Sequence, residues 1–170
     1  LKKTLPRFGH SVNADRRGFL WIFGGYSLSN GALNDIRQFD TRNRTWMQVT
    51  VDGTLAKMPL GRYFHAAEIS KQSIYIYGGL NNEFEVLDDF WVFNVHEHRW
   101  TEVDVDSGNQ SLCKNVICGS PGALAGHTLT AVKDEENEAL ILIGGYKNST
   151  AVNETLQKSL ETTTEIPAIE

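Results

Sequence analysis

The sequence predicts an all-β fold made of repeated four-stranded units, and three observations carry that prediction. Gly24-Gly25 recurs as Gly78-Gly79, 54 residues on, and again as Gly144-Gly145, 66 residues further. Trp46 recurs as Trp100, also 54 residues apart, with 21 residues from the second glycine to the Trp in both copies. A histidine precedes each glycine pair: His10, His65 and His127. Self-similarity at such a period marks a repeat architecture.

Within each unit the strands fall at matching places. Strand a follows the histidine, over Ser11–Ala14 or Ala66–Ser70. Strand b is the apolar run into the glycines, at Phe19–Phe23, Ser73–Tyr77 or residues 139–143, and its near-continuous apolar character suits burial on both faces. Strand c reads Ile36-Arg37-Gln38-Phe39 or Phe90-Trp91-Val92-Phe93; strand d, residues 45–49 or Arg99–Val103, carries the Trp. Polar residues between Asp40 and Trp46, and between Asn94 and Trp100, form a tight c–d turn. No helical periodicity competes. Four short strands per unit of about 50 residues is the pattern of a propeller blade. The glycine pair allows backbone conformations closed to other residues and lets neighbouring chains come close. The Trp offers more apolar area than one small sheet can bury, so it should pack against the next blade.

These residues resemble kelch repeats. The family's run of a strand into Gly-Gly, an aromatic-polar pair and then Trp is matched by Gly24-Gly25, Phe39-Asp40 and Trp46, and again by Gly78-Gly79, Phe93-Asn94 and Trp100. The Arg-x-x-His lead-in stands at Arg7-Phe8-Gly9-His10 and Arg62-Tyr63-Phe64-His65. The wide spacing and a Cys-bearing insert look most like the propellers of attractin and multiple-EGF-like receptor ectodomains. The third copy departs from the pattern: Leu124 stands where Arg is expected, and Leu156 to Glu170 lack an aromatic strand and a Trp. The expectation is therefore a partial kelch β-propeller over 1–154, with blades at about 6–61, 62–125 and 126–154. That makes two full four-stranded blades plus half of a third, followed by a divergent or disordered tail over 155–170. Closed propellers hold four to eight blades, so the native domain is expected to be longer. The chain opens on Leu1 and not on Met, which also suggests a piece of a longer protein.

Composition narrows the function. The net charge is −5 and no basic run exceeds a pair, which argues against a surface that tracks nucleic-acid phosphates. The apolar runs are too short to cross a bilayer, so no membrane insertion is expected within this chain. The two cysteines, Cys113 and Cys118, share one insert; a disulfide across that short loop is expected, with free thiols as the alternative. Zinc fits poorly, since two ligands are not four. Sequons stand at Asn43, Asn109, Asn148 and Asn153, all in expected loops, as glycan acceptors must be, although coincidence would also produce some. Cysteines and sequons together favour an extracellular or cell-surface location, with the cytoplasm as the alternative.

No catalytic constellation is expected. The three histidines repeat in register with the blades, which suits a structural role in fixing the start of strand a. Glu83, Glu85, Asp88 and Asp89 suit a solvated or turn-capping cluster better than a cation site. Residues 104–108 look like a calcium loop but lack a ligand, and Asn115 stands where the bidentate Glu belongs. Some kelch propellers are copper oxidases, but no Tyr/His cluster converges here, and no cofactor is expected.

In an antiparallel four-stranded meander the b–c loop and the d–a link leave from one face, and the a–b and c–d turns from the other. The long connections, 26–35, 51–61, 80–89, 104–126 and 146–153, all belong to the first face. Recognition concentrates on long loops held by a rigid scaffold. Tyr26, Asn30, Glu83, Phe84, Glu85 and Tyr146 are the candidate binding residues there, as aromatic anchors in a polar and charged surround. The function expected is a non-catalytic interaction module of an extracellular receptor or secreted kelch protein, binding a protein ligand or co-receptor. The alternative is an intracellular kelch adaptor for a ubiquitin ligase or the cytoskeleton. The sequence does not indicate an oligomeric state.

Overall fold

The computed structural model describes residues 4–51, 57–104, 121–133, 138–147, 150–151 and 155–160. The first blade is a four-stranded antiparallel sheet of β1 (Ser11–Ala14), β2 (Phe19–Phe23), β5 (Ile36–Asp40) and β6 (Thr45–Gln48), in that order across the sheet. A two-residue hairpin, β3 (Tyr26–Ser27) with β4 (Gly31–Ala32), stands in its b–c loop. The second blade repeats the sheet with β7 (Ala66–Ser70), β8 (Ser73–Tyr77), β9 (Phe90–Asn94) and β10 (Arg99–Val103). The third has β11 (Thr128–Lys133), β12 (Glu138–Ile143) and β15 (Thr155–Leu160), with the hairpin β13 (Tyr146–Lys147) and β14 (Thr150–Ala151) in its loop.

Residues 155–160 were expected to lack a strand, yet they pair along the whole of β12, from Ile143↔Thr155 to Glu138↔Leu160. The open edge of β12 presents a row of backbone donors and acceptors that any extended segment can join. The third blade thus has three strands instead of two.

Blades stack face to face through alternating side chains. In β8, Ile74 and Ile76 point into the first blade and meet Trp21, Phe23 and Ile36; Trp91, Phe93 and Trp100 join the same cluster. Tyr77 and Phe90 point the other way, onto Leu124, Leu129, Leu140 and Leu142 of the third blade. The Trp expected to reach the next blade packs back on the preceding one: Trp100 lies 4.9 Å from the Phe23 ring and 4.9 Å from Phe93.

The glycine pairs make the junctions. Gly24 and Gly25 have φ of 64° and 92°, and Gly78 and Gly79 of 62° and 99°. Gly25 N–H donates to Arg62 O at 2.8 Å, and Gly79 N–H to Leu124 O at 2.8 Å, so each pair holds the start of the following blade. A Cβ on Gly24 would fall 2.6 Å from Arg62 O, and one on Gly78 would overlap Leu124 O, which excludes any larger residue.

Candidate interaction face

Three bridges show that the d–a links and b–c loops share one face: Phe8 with Tyr26, Tyr63 with Leu80, and Ala125 with Tyr146. Each lead-in is anchored beneath that face. The Arg62 side chain, fully buried, donates to both carboxylate oxygens of Asp89 at 2.6 Å and to Gly78 O at 3.0 Å. Arg7 repeats the arrangement with Asp35 and Gly24 O. Burial raises the Asp89 carboxyl, but hydrogen bonds and charge from Arg62, with the Trp91 indole, more than reverse this and leave it below its ordinary range. Asp89 therefore belongs to the scaffold and not to an exposed acidic patch.

His65 and His127 are buried at blade junctions, whereas His10 is exposed. His65 Nε2 lies 2.8 Å from Ser11 Oγ of the first blade, and its ring meets Phe23 edge-on at 5.3 Å. Burial, with a smaller contribution from the Arg62 charge, lowers its pKa to about 3. His127 sits edge-on to Tyr77 at 5.6 Å and is lowered to about 4, mainly by burial.

Above these anchors the rings of Phe8, Tyr26, Tyr63 and Phe64 form one group, with centroids 5.1 to 6.2 Å apart. Tyr63 is buried at its centre; burial raises its phenol pKa, with Tyr146 and Tyr26 adding to the effect. Tyr26 and Tyr146, two of the sequence-selected residues, are thus half-buried supports on either side of Tyr63. Phe8 and Phe64 are the exposed members, at 48% and 43%. Sequence reasoning missed both, although the register held a signal. Phe64 has φ of 54° at the position filled by Gly9 and Gly126, with φ of 65° and 68°. A bulky side chain in the left-handed region is a costly choice, and such strain concentrates at functional sites.

The second cluster is the 81–85 turn. Asn81 Oδ1 accepts from the N–H of Glu83 and Glu85 at 3.0 and 2.9 Å, and its Nδ2 donates to Glu85 Oε2 at 2.8 Å. Phe84 is held at the tip with φ of 61° and 71% exposure. Glu83 and Glu85 flank it, exposed, but Glu85 is tied to Asn81, which leaves Glu83 as the freer charge. Asn30 is exposed on the neighbouring hairpin and accepts from Ser29 Oγ at 2.6 Å. Asn82 Oδ1 joins the two loops by accepting from Ala32 N–H at 2.7 Å. Asn43 lies exposed in the c–d turn of the opposite face. Asn109, Asn148, Asn153, Cys113 and Cys118 lie outside the described residues. Among the described residues no group of three or more His, Cys, Asp or Glu side chains could hold a metal, and no helix is long and apolar enough to cross a membrane.

Four-stranded antiparallel blades, stacked through paired glycines and lead-in arginines, define a kelch-type β-propeller module. The chain matches the Attractin/LZTR1 beta-propeller family over residues 20–166, past the start of the expected tail, and it belongs to that family. It is 31% identical over 160 residues to multiple epidermal growth factor-like domains protein 8 of Rattus norvegicus, and 32% identical to the Homo sapiens protein of that name. These matches cover 91% of this chain and 5% of each relative, so the chain spans about one-twentieth of their length. Kelch domain-containing protein 10 of Xenopus laevis is 25% identical over 174 residues, covering 99% of this chain and 38% of that protein.

Proposed function

We propose that this chain is a non-catalytic module of an extracellular receptor or secreted protein, and that its long-loop face takes a protein ligand or co-receptor. The observation that carries the reading is an asymmetry between the faces. Leu5, Phe8, Leu28, Met58, Leu60, Phe64 and Phe84 are exposed on the long-loop side, whereas the a–b and c–d turns of the first two blades hold no exposed large hydrophobic residue. Exposed aromatics on a rigid support, with charges at the rim, are what an interface anchor requires. The extracellular reading is supported by similarity to proteins named for multiple EGF-like domains, a class of small secreted disulfide scaffolds. Glycans at the four sequons and a Cys113–Cys118 disulfide fit the same reading. Similarity to Kelch domain-containing protein 10 favours the second reading, an intracellular adaptor using the same face.

A photo-crosslinking residue placed at 28, 64 or 84 of the intact protein, displayed to living cells, should trap a surface partner, whereas one placed at 72 or 97 should not. Phe84→Ala with Glu83→Lys should weaken that binding at least tenfold without lowering the unfolding midpoint. Crosslinks from 72 and 97 alone, or unchanged affinity in the double variant, would contradict the reading. Glycosidase-sensitive mobility would separate the extracellular from the intracellular version.

A further inference from the structure

The two turns of the first blade on the opposite face, residues 15–18 and 41–44, close side by side. Thr41 joins them, its N–H and its hydroxyl both donating to Gly18 O, at 3.2 and 2.7 Å. A Cβ placed on Gly18 would lie 3.6 Å from Arg42 Nε, so the Arg42 side chain lies over the first turn. Arg16, Arg17, Arg42 and Arg44 are all exposed on this pair of turns.

The carboxylates of the same turns are occupied. Asp15 accepts from the N–H groups of Arg17 and Phe19, from the Trp21 indole and from the Arg17 guanidinium. Asp40 accepts from the N–H groups of Arg42 and Asn43 and from Asn43 Nδ2. Arg17 is thereby paired with Asp15; among the described residues Arg16, Arg42 and Arg44 form no ion pair, and the Arg42 charge acts at longer range on Asp40. In a chain of net charge −5 this is a concentrated basic surface. The matching turns of the second blade, 71–72 and 95–98, carry Lys71 as their one Lys or Arg, and Arg99 at the start of β10 is paired with Glu97 at 3.2 Å.

Guanidinium groups bind sulfate, phosphate and carboxylate through paired donors. A protein partner would need an apolar anchor, and a single-stranded nucleic acid would need aromatic platforms for its bases. Residues 15–18 and 41–44 expose neither; beyond them Trp46, 38% exposed, is a single ring and not a row of platforms. A sulfated polysaccharide needs only clustered positive charge. We propose that the first-blade turns bind a sulfated polysaccharide chain through Arg16, Arg42 and Arg44. The Asn43 sequon stands among these residues, so the site is open only in protein whose Asn43 carries no glycan, as its Nδ2 donating to Asp40 Oδ2 at 2.7 Å allows.

The test uses the intact protein carrying Thr45→Val, which removes that sequon, and an immobilised heparin oligosaccharide. Saturable binding should weaken with salt at a log–log slope of about −2 to −3, as expected when three arginines displace counterions. Arg42→Ala with Arg44→Ala should lower affinity at least tenfold, and the matching Lys pair should recover most of it. Should the alanine pair fail to fold, Arg16→Ala, which breaks no hydrogen bond described for that side chain, should still weaken binding several-fold. The proposal is overturned if heparin does not bind, if the folded alanine pair or Arg16→Ala binds as tightly as the parent, or if poly-glutamate or DNA of equal length binds as tightly as heparin.

Discussion

Trp46 and Trp100 stand at the same place in consecutive repeats, each opposite an aromatic partner in the neighbouring strand, Phe39 and Phe93. The ring pairs are similar too, at 5.1 and 4.9 Å. Yet Trp46 keeps 38% of its surface exposed and Trp100 only 4%. The difference lies outside the sheet. Trp100 has the first blade in front of it, with Phe23 against its ring, whereas Trp46 faces away from the second blade with no described sheet before it. Trp100 is therefore a staple to the preceding blade, and its burial is a property of two repeats and not of one.

Truncating each Trp in turn separates the two roles. In this chain Trp100→Ala should cost about 3–5 kcal/mol, the range for a large buried aromatic, and Trp46→Ala about 1 kcal/mol; urea unfolding midpoints at neutral pH would show the ratio. If a further blade packs on Trp46 in the intact protein, the two costs should converge there. Equal costs in this chain would mean that the Trp stabilises its own sheet instead of the junction.

The lead-in arginine gives a second test of the junction. Leu124 already stands, buried, where the other repeats place Arg7 and Arg62, so a leucine fits the backbone there. Arg62→Leu should still cost about 3–5 kcal/mol, because it leaves the Asp89 carboxylate without its partner. Adding Asp89→Asn should recover at least half of the loss. No recovery would mean that Arg62 acts by packing alone.

Acid should loosen the same junctions by a smaller step. In the folded chain His65 and His127 stay neutral down to about 3 and 4, while the unfolded chain takes up protons from about pH 6.5. Their lowered values mean that stability is fully present above pH 6.5 and falls as the pH drops toward 4. The expected loss is about 2 kcal/mol per buried histidine between pH 7 and 5. Asp35 and Asp89, also lowered, act only nearer pH 4, so this window reports the histidines. A His65→Gln variant should show a flatter dependence by chemical denaturation.

The strands were legible because two-residue alternation, apolar runs and paired glycines are local signals: nearly every strand of the first two blades begins and ends within a residue of its expected place. What was not legible arises between repeats. The direction in which Trp100 packs, the pairing of Arg62 with Asp89 across 27 residues, and the bond of His65 to Ser11 across 54 all join distant segments. The hairpins of Tyr26–Ser27 and Tyr146–Lys147 are too short to show a period. Residues 155–160 carry no strand pattern of the kelch kind, and their pairing is set by the edge of β12. On the candidate face, the 81–85 turn was found from its aromatic and charges. Phe8 and Phe64 were passed over because their role appears only when the lead-ins of two blades are set side by side.

Blade stacking gathers the long loops onto one face, the proposed recognition surface. Hydrogen–deuterium exchange of the intact protein, with and without its protein partner, tests it directly. Partner binding should slow exchange in residues 26–35, 58–64 and 80–89 and leave 15–18, 41–44, 71–72 and 95–98 unchanged. Protection confined to those turns, with the long loops exchanging as before, would contradict it.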